Sequence, residues 1–452
     1  MPTTIPVILS IIVYLLAIIA ITYYSSKRET SADFIIASKK LGWKQVGFST
    51  FATLISSFNI VIIITFAFLF GIYLILAMGG VVLAFIMVYH MEKKVRKSSI
   101  EKRFITVVDY FNFKYGKNVA TIINLILLFV LLFFITLQIN VNTLVFSNLL
   151  EWSKVSSAIF VALIVLFYSY VGGFKTIVKT DFFQGILMLF IIILAFLVGS
   201  SSITTDNVIS NLSDATIFLG ASAIMIAQFL TMIVQPELWQ RVYSAKSLKD
   251  LRLGLMFASI LLFLVVIPGI IIGMNAKFSG SITNVGNAFY EVLSLASPAW
   301  FFPIVAVALF AAFMSTLDSS LFALSSQLAK SGFVVGYKDE KDDKILMKKI
   351  RIWMVSILIV TLITSLFLSN FLASVFQLIS IAMIISTAFI LSLILKVSKK
   401  EMFIALIIGT IGFVFASLNG LITENPITSL YPAIFLVVYM VLQNLVFRML
   451  RY

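Results

Sequence analysis

The chain has 452 residues, 61% of them hydrophobic and only 12% charged. A soluble domain carries about 25% charged residues, so a water-facing surface cannot be built here, and a soluble enzyme, a nucleic-acid-binding domain and a disordered chain are excluded. There are no cysteines and a single histidine, which removes disulfides, thiolate chemistry and multi-histidine metal sites.

Apolar runs long enough to cross a bilayer, about 20 residues each, follow in chain order. They lie at 5–24, 46–70, 72–91, 119–149, 157–173, 178–200, 214–235, 252–276, 298–329, 350–368, 371–395, 402–419 and 428–447. The expected fold is an all-α polytopic membrane protein with about 13 transmembrane helices. The first run follows MPTTIP, which has no positive charge, and precedes Lys27 and Arg28. That is the reverse of a signal peptide and predicts a retained helix. His90, at the end of an apolar run, reads as an interfacial residue. The longest polar stretch, 337–349, is short and highly charged, so it reads as a loop and no soluble domain is expected.

The net charge of +14 is explained by where the cations fall. With the N-terminus outside, alternate loops place 31 of the 33 Lys and Arg residues inside, Arg241 among them, and leave only Lys154 and Lys277 outside. The positive-inside rule therefore sets the N-terminus outside and the C-terminus in the cytoplasm, in the plasma membrane. A nucleic-acid partner is not needed to account for the charge.

Polar groups at membrane depth are costly and mark function. Asp318 lies near the middle of the ninth run, within AAFMSTLDSSLFALSS. Helical geometry puts Ala312, Ser315, Thr316 and Ser319 on one face, with Asp318 beside Ser315. Hydroxyls, a carboxylate and backbone carbonyls suit a dehydrated alkali cation. Helix packing and back-bonding of hydroxyls to their own helix are the competing reading. Asp181 opens the sixth run, while Glu237 and Glu401 flank the seventh and twelfth at the interface. Uncharged polar groups interrupt other runs: Ser56, Ser57 and Asn59; Thr136, Gln138, Asn140, Asn142 and Thr143; Gln228, Thr231 and Gln235, before Pro236; and Gln377, Ser380, Ser386 and Thr387. These suit a small polar solute, with helix–helix hydrogen bonding again the competing reading. No nucleophile–base or metal constellation appears, so an enzyme is not expected.

Several segments carry a family likeness: SADFIIASKKLGW after the first run, TVVDYFNFKYG after the third, GGFKTIVKTDFFQG before the sixth, QPELWQRVYSAKSLKDLRLG after the seventh, and AAFMSTLDSSL in the ninth. Together, from the first loop to about residue 330, they resemble the sodium:solute symporter family. The resemblance implies a five-plus-five inverted-repeat core of leucine-transporter type. Residues 1–45 would form an N-terminal peripheral helix and first cytoplasmic loop, 46–200 the first repeat, 201–396 the second, and 397–452 two C-terminal peripheral helices. It also implies discontinuous first helices in each repeat.

Carried over residue by residue, the resemblance implies a sodium site formed by the carbonyls of Ala52, Ile55 and Ala312 with the hydroxyls of Ser315 and Thr316. A second cation or proton position would draw on Asp181, Ser315, Asp318 and Ser319. Departures are also present. Leu54 stands where proline transporters carry an aspartate, the second run has no Gly or Pro in ISSFNIVIIITFAF, and SVFQLISIAMIISTAF in the eleventh has neither. The expected function is sodium-coupled symport of a small organic solute, an amino acid such as proline or a carboxylate or vitamin, by alternating access. The solute would contact Ser56, Ser57, Asn59, Gln138, Asn142, Gln228, Thr231, Gln235 and Gln377. Sodium is the expected coupling ion, with no cofactor and no required protein partner. The alternatives are a proton-coupled symporter using Asp318 and Asp181, and a non-pumping membrane sensor or channel-like protein.

Overall fold

The computed structural model describes residues 4–27, 29–150, 152–190, 193, 202–280, 300–331, 340–368, 371–395, 397–423 and 425–449. The outer part of the sixth expected run, 194–200, lies outside the described residues, as does the side chain of Ser57.

The described residues are helical, with one isolated backbone bridge. The helices are α1 (Thr4–Ser26), α2 (Ser31–Ile36), α3 (Trp43–Leu54), α4 (Ser57–Phe70), α5 (Ile75–Glu101), α6 (Val107–Tyr115), α7 (Lys117–Leu150), α8 (Lys154–Val171) and α9 (Phe174–Met188). They continue as α10 (Thr205–Ser213), α11 (Ala215–Ile233), α12 (Pro236–Ser244), α13 (Leu248–Ser279), α14 (Phe302–Ser331), α15 (Glu340–Ser365), α16 (Phe371–Ile394), α17 (Lys399–Leu418) and α18 (Tyr431–Met449). Among the described residues, ten helical stretches are long and apolar enough to cross a membrane. The count is lower than thirteen for physical reasons. Phe58 to Glu101 counts as one stretch of 44 residues, although α4 and α5 within it are separated by a turn at Gly71–Leu74, and at 1.5 Å per residue it exceeds one bilayer. α9 is 15 residues long within the described chain, and α15 begins with a run of charges.

Local sequence fixes the turns between spans. Thr30 and Asp33 form a capping box at α2, and Asp109 accepts the Ile105 and Thr106 backbone N–H groups at 2.9 Å each before α6. Ser398 and Glu401 do the same for α17. At Gly71 the backbone is left-handed (φ +58°), and a Cβ there would sit 2.3 Å from the Asn211 side chain; only glycine fits.

α14 is the centre of the bundle. Its membrane-length window is 89% buried, against 28% for α1. It touches α1, α3, α7, α9, α12 and α15. α13 runs along both α3 and α4, and two glycines permit the approach. A Cβ on Gly254 would lie 2.7 Å from Val46, and one on Gly273 would lie 2.5 Å from Ala67. Close backbone contact through small residues is the usual packing route between helices in lipid. Several polar residues in the spans serve this packing. Thr136 meets Thr364 at 3.0 Å, the Asn140 amide donates to the Ser365 carbonyl, Ser380 to Ser429 and Ser386 to Leu230.

Candidate ion and solute site

Two helices are broken inside the buried bundle. The first break falls between α3 and α4 and uses neither Gly nor Pro. Ile55 and Ser56 leave helical geometry, and the Ser56 hydroxyl accepts the Asn59 N–H at 2.9 Å. The Asn59 amide then donates to the Leu54 carbonyl at 2.6 Å. One polar pair thus caps the new helix and satisfies a carbonyl of the old one. The second break lies between α11 and α12, where Pro236 takes the first helical position and the Trp239 indole donates to the Ile233 carbonyl at 2.7 Å.

α14 meets the end of α3 at an oxygen cluster. The Ser315 hydroxyl lies 2.8 Å from the Ala52 carbonyl and 3.1 Å from that of Ala312. The Thr316 hydroxyl lies 3.0 Å from the Thr53 carbonyl and 3.3 Å from that of Ala312. All these residues are buried, and buried Ile55 follows directly on α3. Four of the five residues expected around sodium therefore share hydrogen-bond distances, with Thr53 added. Hydroxyl oxygens that now donate to carbonyls can instead turn their lone pairs toward a cation held between the helices.

One turn further along α14 the chemistry changes. Arg241, counted as a loop charge in the sequence, is completely buried. Its Nη2 donates to Asp181 Oδ2 at 3.0 Å and to the Ser319 hydroxyl at 2.8 Å. Its Nε donates to the Ser49 hydroxyl at 2.9 Å, and Nη1 to the Glu237 carbonyl at 3.0 Å. The Ser49 hydroxyl donates to Asp181 at 2.5 Å, and Thr53 and Ser319 hydroxyls meet at 3.2 Å. Asp318 is buried on the same helix. The region expected to hold a second cation or a proton thus already holds a side-chain cation between Asp181 and Ser319.

On the other side of Leu54 lies a cavity of about 140 Å³. Its walls are mainly apolar and aromatic, with Phe58, Phe66 and Phe134 prominent, and its polar lining is Asn59, Gln228, Thr231, Gln235 and Glu237. A further cavity of about 110 Å³ shares Leu54, Asn59 and Gln228. Four of the nine solute residues expected from sequence therefore converge. Ser56 caps α4, while Gln138, Asn142 and Gln377 do not line either cavity; Gln138 is buried on α7 and its carbonyl accepts the Asn142 amide at 2.7 Å. Glu237 corrects the sequence reading: it is not interfacial but buried, and the Ser320 hydroxyl donates to its Oε1 at 2.5 Å. Its signal was the acid directly after Pro236, at the break itself.

At one end of the bundle the loop after α2 is laced to the end of α12. Leu41 N–H donates to the Ser244 carbonyl at 3.0 Å, and Lys246 N–H to the Leu41 carbonyl at 2.9 Å. Lys39 donates to the Ser99 carbonyl at 2.8 Å, and burial pushes its ammonium down to about 8, with the Glu92 carboxylate opposing.

The chain is similar to several known transporters. The model of the sodium:solute symporter family matches residues 34–409. The osmoregulated proline transporter OpuE of Bacillus subtilis (strain 168) is 24% identical over 392 residues, 80% of this chain and 78% of that protein. A sodium/proline symporter of Staphylococcus aureus is 28% identical over 223 residues, 45% of this chain and 43% of its own length. Among solved structures, the outward-open, substrate-bound state of a Na+-coupled sialic acid symporter superposes with a TM-score of 0.81 at 16% identity, covering 96% of each chain. Mhp1, a nucleobase-cation-symport-1 transporter in a closed conformation, gives 0.56 at 13% identity, over 90% of this chain and 92% of that one. The fold is thus that of the leucine-transporter-type symporters, and with a family match across most of its length the chain belongs to the sodium:solute symporter family.

Proposed function

We propose that the protein couples inward movement of sodium to uptake of a small organic solute by alternating access. The carrying observation is the oxygen cluster of Ala52, Thr53, Ala312, Ser315 and Thr316, set one residue from the cavity wall at Leu54. Sodium would bind the Ala52, Ile55 and Ala312 carbonyls and the Ser315 and Thr316 hydroxyls. The solute would bind in the cavity, against Asn59, Gln228, Thr231 and Gln235. A cavity of about 150 Å³ takes one benzene-sized ring, so a volume of about 140 Å³ favours an amino acid the size of proline over a sugar acid. The proline transporters among the relatives point the same way.

In this reading the core divides into repeats at 46–200 and 201–396, each opening with a broken helix, flanked by 1–45 and 397–452. The N-terminus is outside and the C-terminus cytoplasmic, in the cell membrane. The proton-coupled reading is disfavoured because Asp181 is already matched by Arg241. A second cation at Asp181, Asp318 and Ser319 would require that guanidinium to withdraw. Uptake of labelled solutes into proteoliposomes, under separate sodium and proton gradients, tests the proposal. Accumulation is expected with sodium alone; accumulation driven by protons without sodium would refute it.

A further inference from the structure

Resting on the reading of the cavity as the solute site, we infer that Glu237 receives the solute and that the solute carries a cationic nitrogen on a small apolar body. Glu237 is 1% exposed and lines the cavity. Ser320 holds its Oε1, while Oε2 is buried and has no hydrogen-bond partner among the described residues. A buried carboxylate oxygen left unmet is costly, more so than a neutral acceptor. An N–H donor carrying positive charge is the partner that offsets this best, because charge-assisted hydrogen bonds are roughly twice as strong as neutral ones.

Other lining groups add acceptors. Gln235 Oε1 is also buried without a partner. The Asn59 amide gives one of its two N–H donors to the Leu54 carbonyl and keeps its oxygen as an acceptor. The Thr231 hydroxyl donates to the Ala227 carbonyl at 2.8 Å. Among the described residues no Lys or Arg lines the cavity. The guanidinium of Arg241 is engaged by Asp181, Ser319, Ser49 and the Glu237 backbone carbonyl. An anion lacking a cationic nitrogen would therefore meet a carboxylate with no lining cation to offset it. A purely structural Glu237 would be served by the Ser320 bond and by its place in the first turn of α12, where a carboxylate favours the helix dipole. That role gives no reason for a ligand to prefer one charge over another, and this difference is what can be measured.

The test uses the full chain in lipid nanodiscs at saturating sodium, with matched compounds: proline, pyrrolidine and cyclopentanecarboxylate; leucine, 3-methylbutylamine and 4-methylpentanoate. Binding is read as thermal stabilisation and as competition for whichever compound stabilises most. Compounds with the cationic nitrogen should bind, and each nitrogen-free carboxylate should need at least ten-fold more for the same effect. Glu237→Gln should raise the half-saturating concentration of the nitrogen compounds at least ten-fold while the half-saturating sodium concentration stays as in wild type. Equal binding of a nitrogen-free carboxylate, no binding by any nitrogen compound, or wild-type affinity in Glu237→Gln overturns the inference. The wild-type panel decides the matter even where the variant does not fold. Stabilisation by sodium alone, and its loss in Ser315→Ala, is read separately. Its presence leaves symport standing whatever the panel gives, and its absence counts against symport and against the inference built on it.

Discussion

Arg241 and Asp181 form a fully buried ion pair, with side chains 1% and 0% exposed. Replacing Arg241 by Met removes four donated hydrogen bonds and leaves Asp181, among the described residues, with the Ser49 hydroxyl. Breaking a buried pair from one side costs about 3–5 kcal/mol, because the remaining charge is uncompensated. Asp181→Asn strands the guanidinium in the same way, although Ser49 and Ser319 still accept from it. At roughly 2 °C per kcal/mol for a chain of this size, each single variant should lose about 6–10 °C of thermal midpoint. Arg241→Met with Asp181→Asn removes both charges and should recover more than half of the summed loss, since contacting residues couple strongly. The assay is thermal unfolding of purified protein in one lipid, at one scan rate, with all four members of the cycle side by side. Strictly additive losses, or an Arg241→Met variant as stable as wild type, would refute the claim that this pair holds α3, α9, α12 and α14 together. A midpoint of Arg241→Met that rises with sodium more steeply than wild type would show a free cation entering between Asp181 and Ser319.

Ser315→Ala and Thr316→Ala should each raise the sodium concentration for half-maximal uptake about ten-fold, since one lost buried partner costs about 1–3 kcal/mol; unchanged sodium dependence in both would place the ion elsewhere. Lys39 has a folded pKa of about 8, below its ordinary value of 10.5, so the unfolded chain binds more protons between those values and stability rises with pH across that window. The thermal midpoint of wild type relative to Lys39→Gln should therefore climb from pH 8 toward 10.5, and a flat or falling difference would count against a partly desolvated ammonium. Single cysteines placed in this cysteine-free chain at 154 and 277 should react with impermeant reagents from outside, and those at 97 and 341 should not; labelling of 97 in intact cells would reverse the orientation.

The spans were readable because a bilayer demands long apolar runs, and the α14 cluster stood out as a run of hydroxyls beside an aspartate, although Ser315 and Thr316 also bond back to the Ala312 carbonyl of their own helix. Arg241 was not, because its sequence neighbours look like a loop and its partner Asp181 lies 60 residues away. Loop-charge counting treats every arginine alike; only packing reveals that this one is inside. The solute residues divided for a similar reason. Polar side chains on a span mark a buried face but not which neighbour it meets. Ser380 and Ser386 proved to join helices, whereas Gln228 and Gln235 face a cavity. The break after Leu54 was visible only as the polarity of ISSFN, since the residues that usually announce a break are missing.

In the proposed reading, that break supplies the physical link between ion and solute. Symport requires each ligand to bind better when the other is present, and three consecutive residues of α3 touch both sites. The carbonyls of Ala52 and Thr53 engage the α14 hydroxyls, and Leu54 lines the cavity while its carbonyl holds Asn59. An ion that draws Ser315 and Thr316 away from those carbonyls alters the same turn of backbone that presents Leu54 and Asn59 to the solute. A coupling of 1.4 kcal/mol across that turn is already a ten-fold change in affinity. Because Ser56 and Asn59 close the break by side-chain hydrogen bonds, the segment has a definite closed arrangement without the free rotation that glycine would introduce. Glu237, tied through Ser320 to the helix that carries Thr316 one turn away, gives the second broken helix the same double contact.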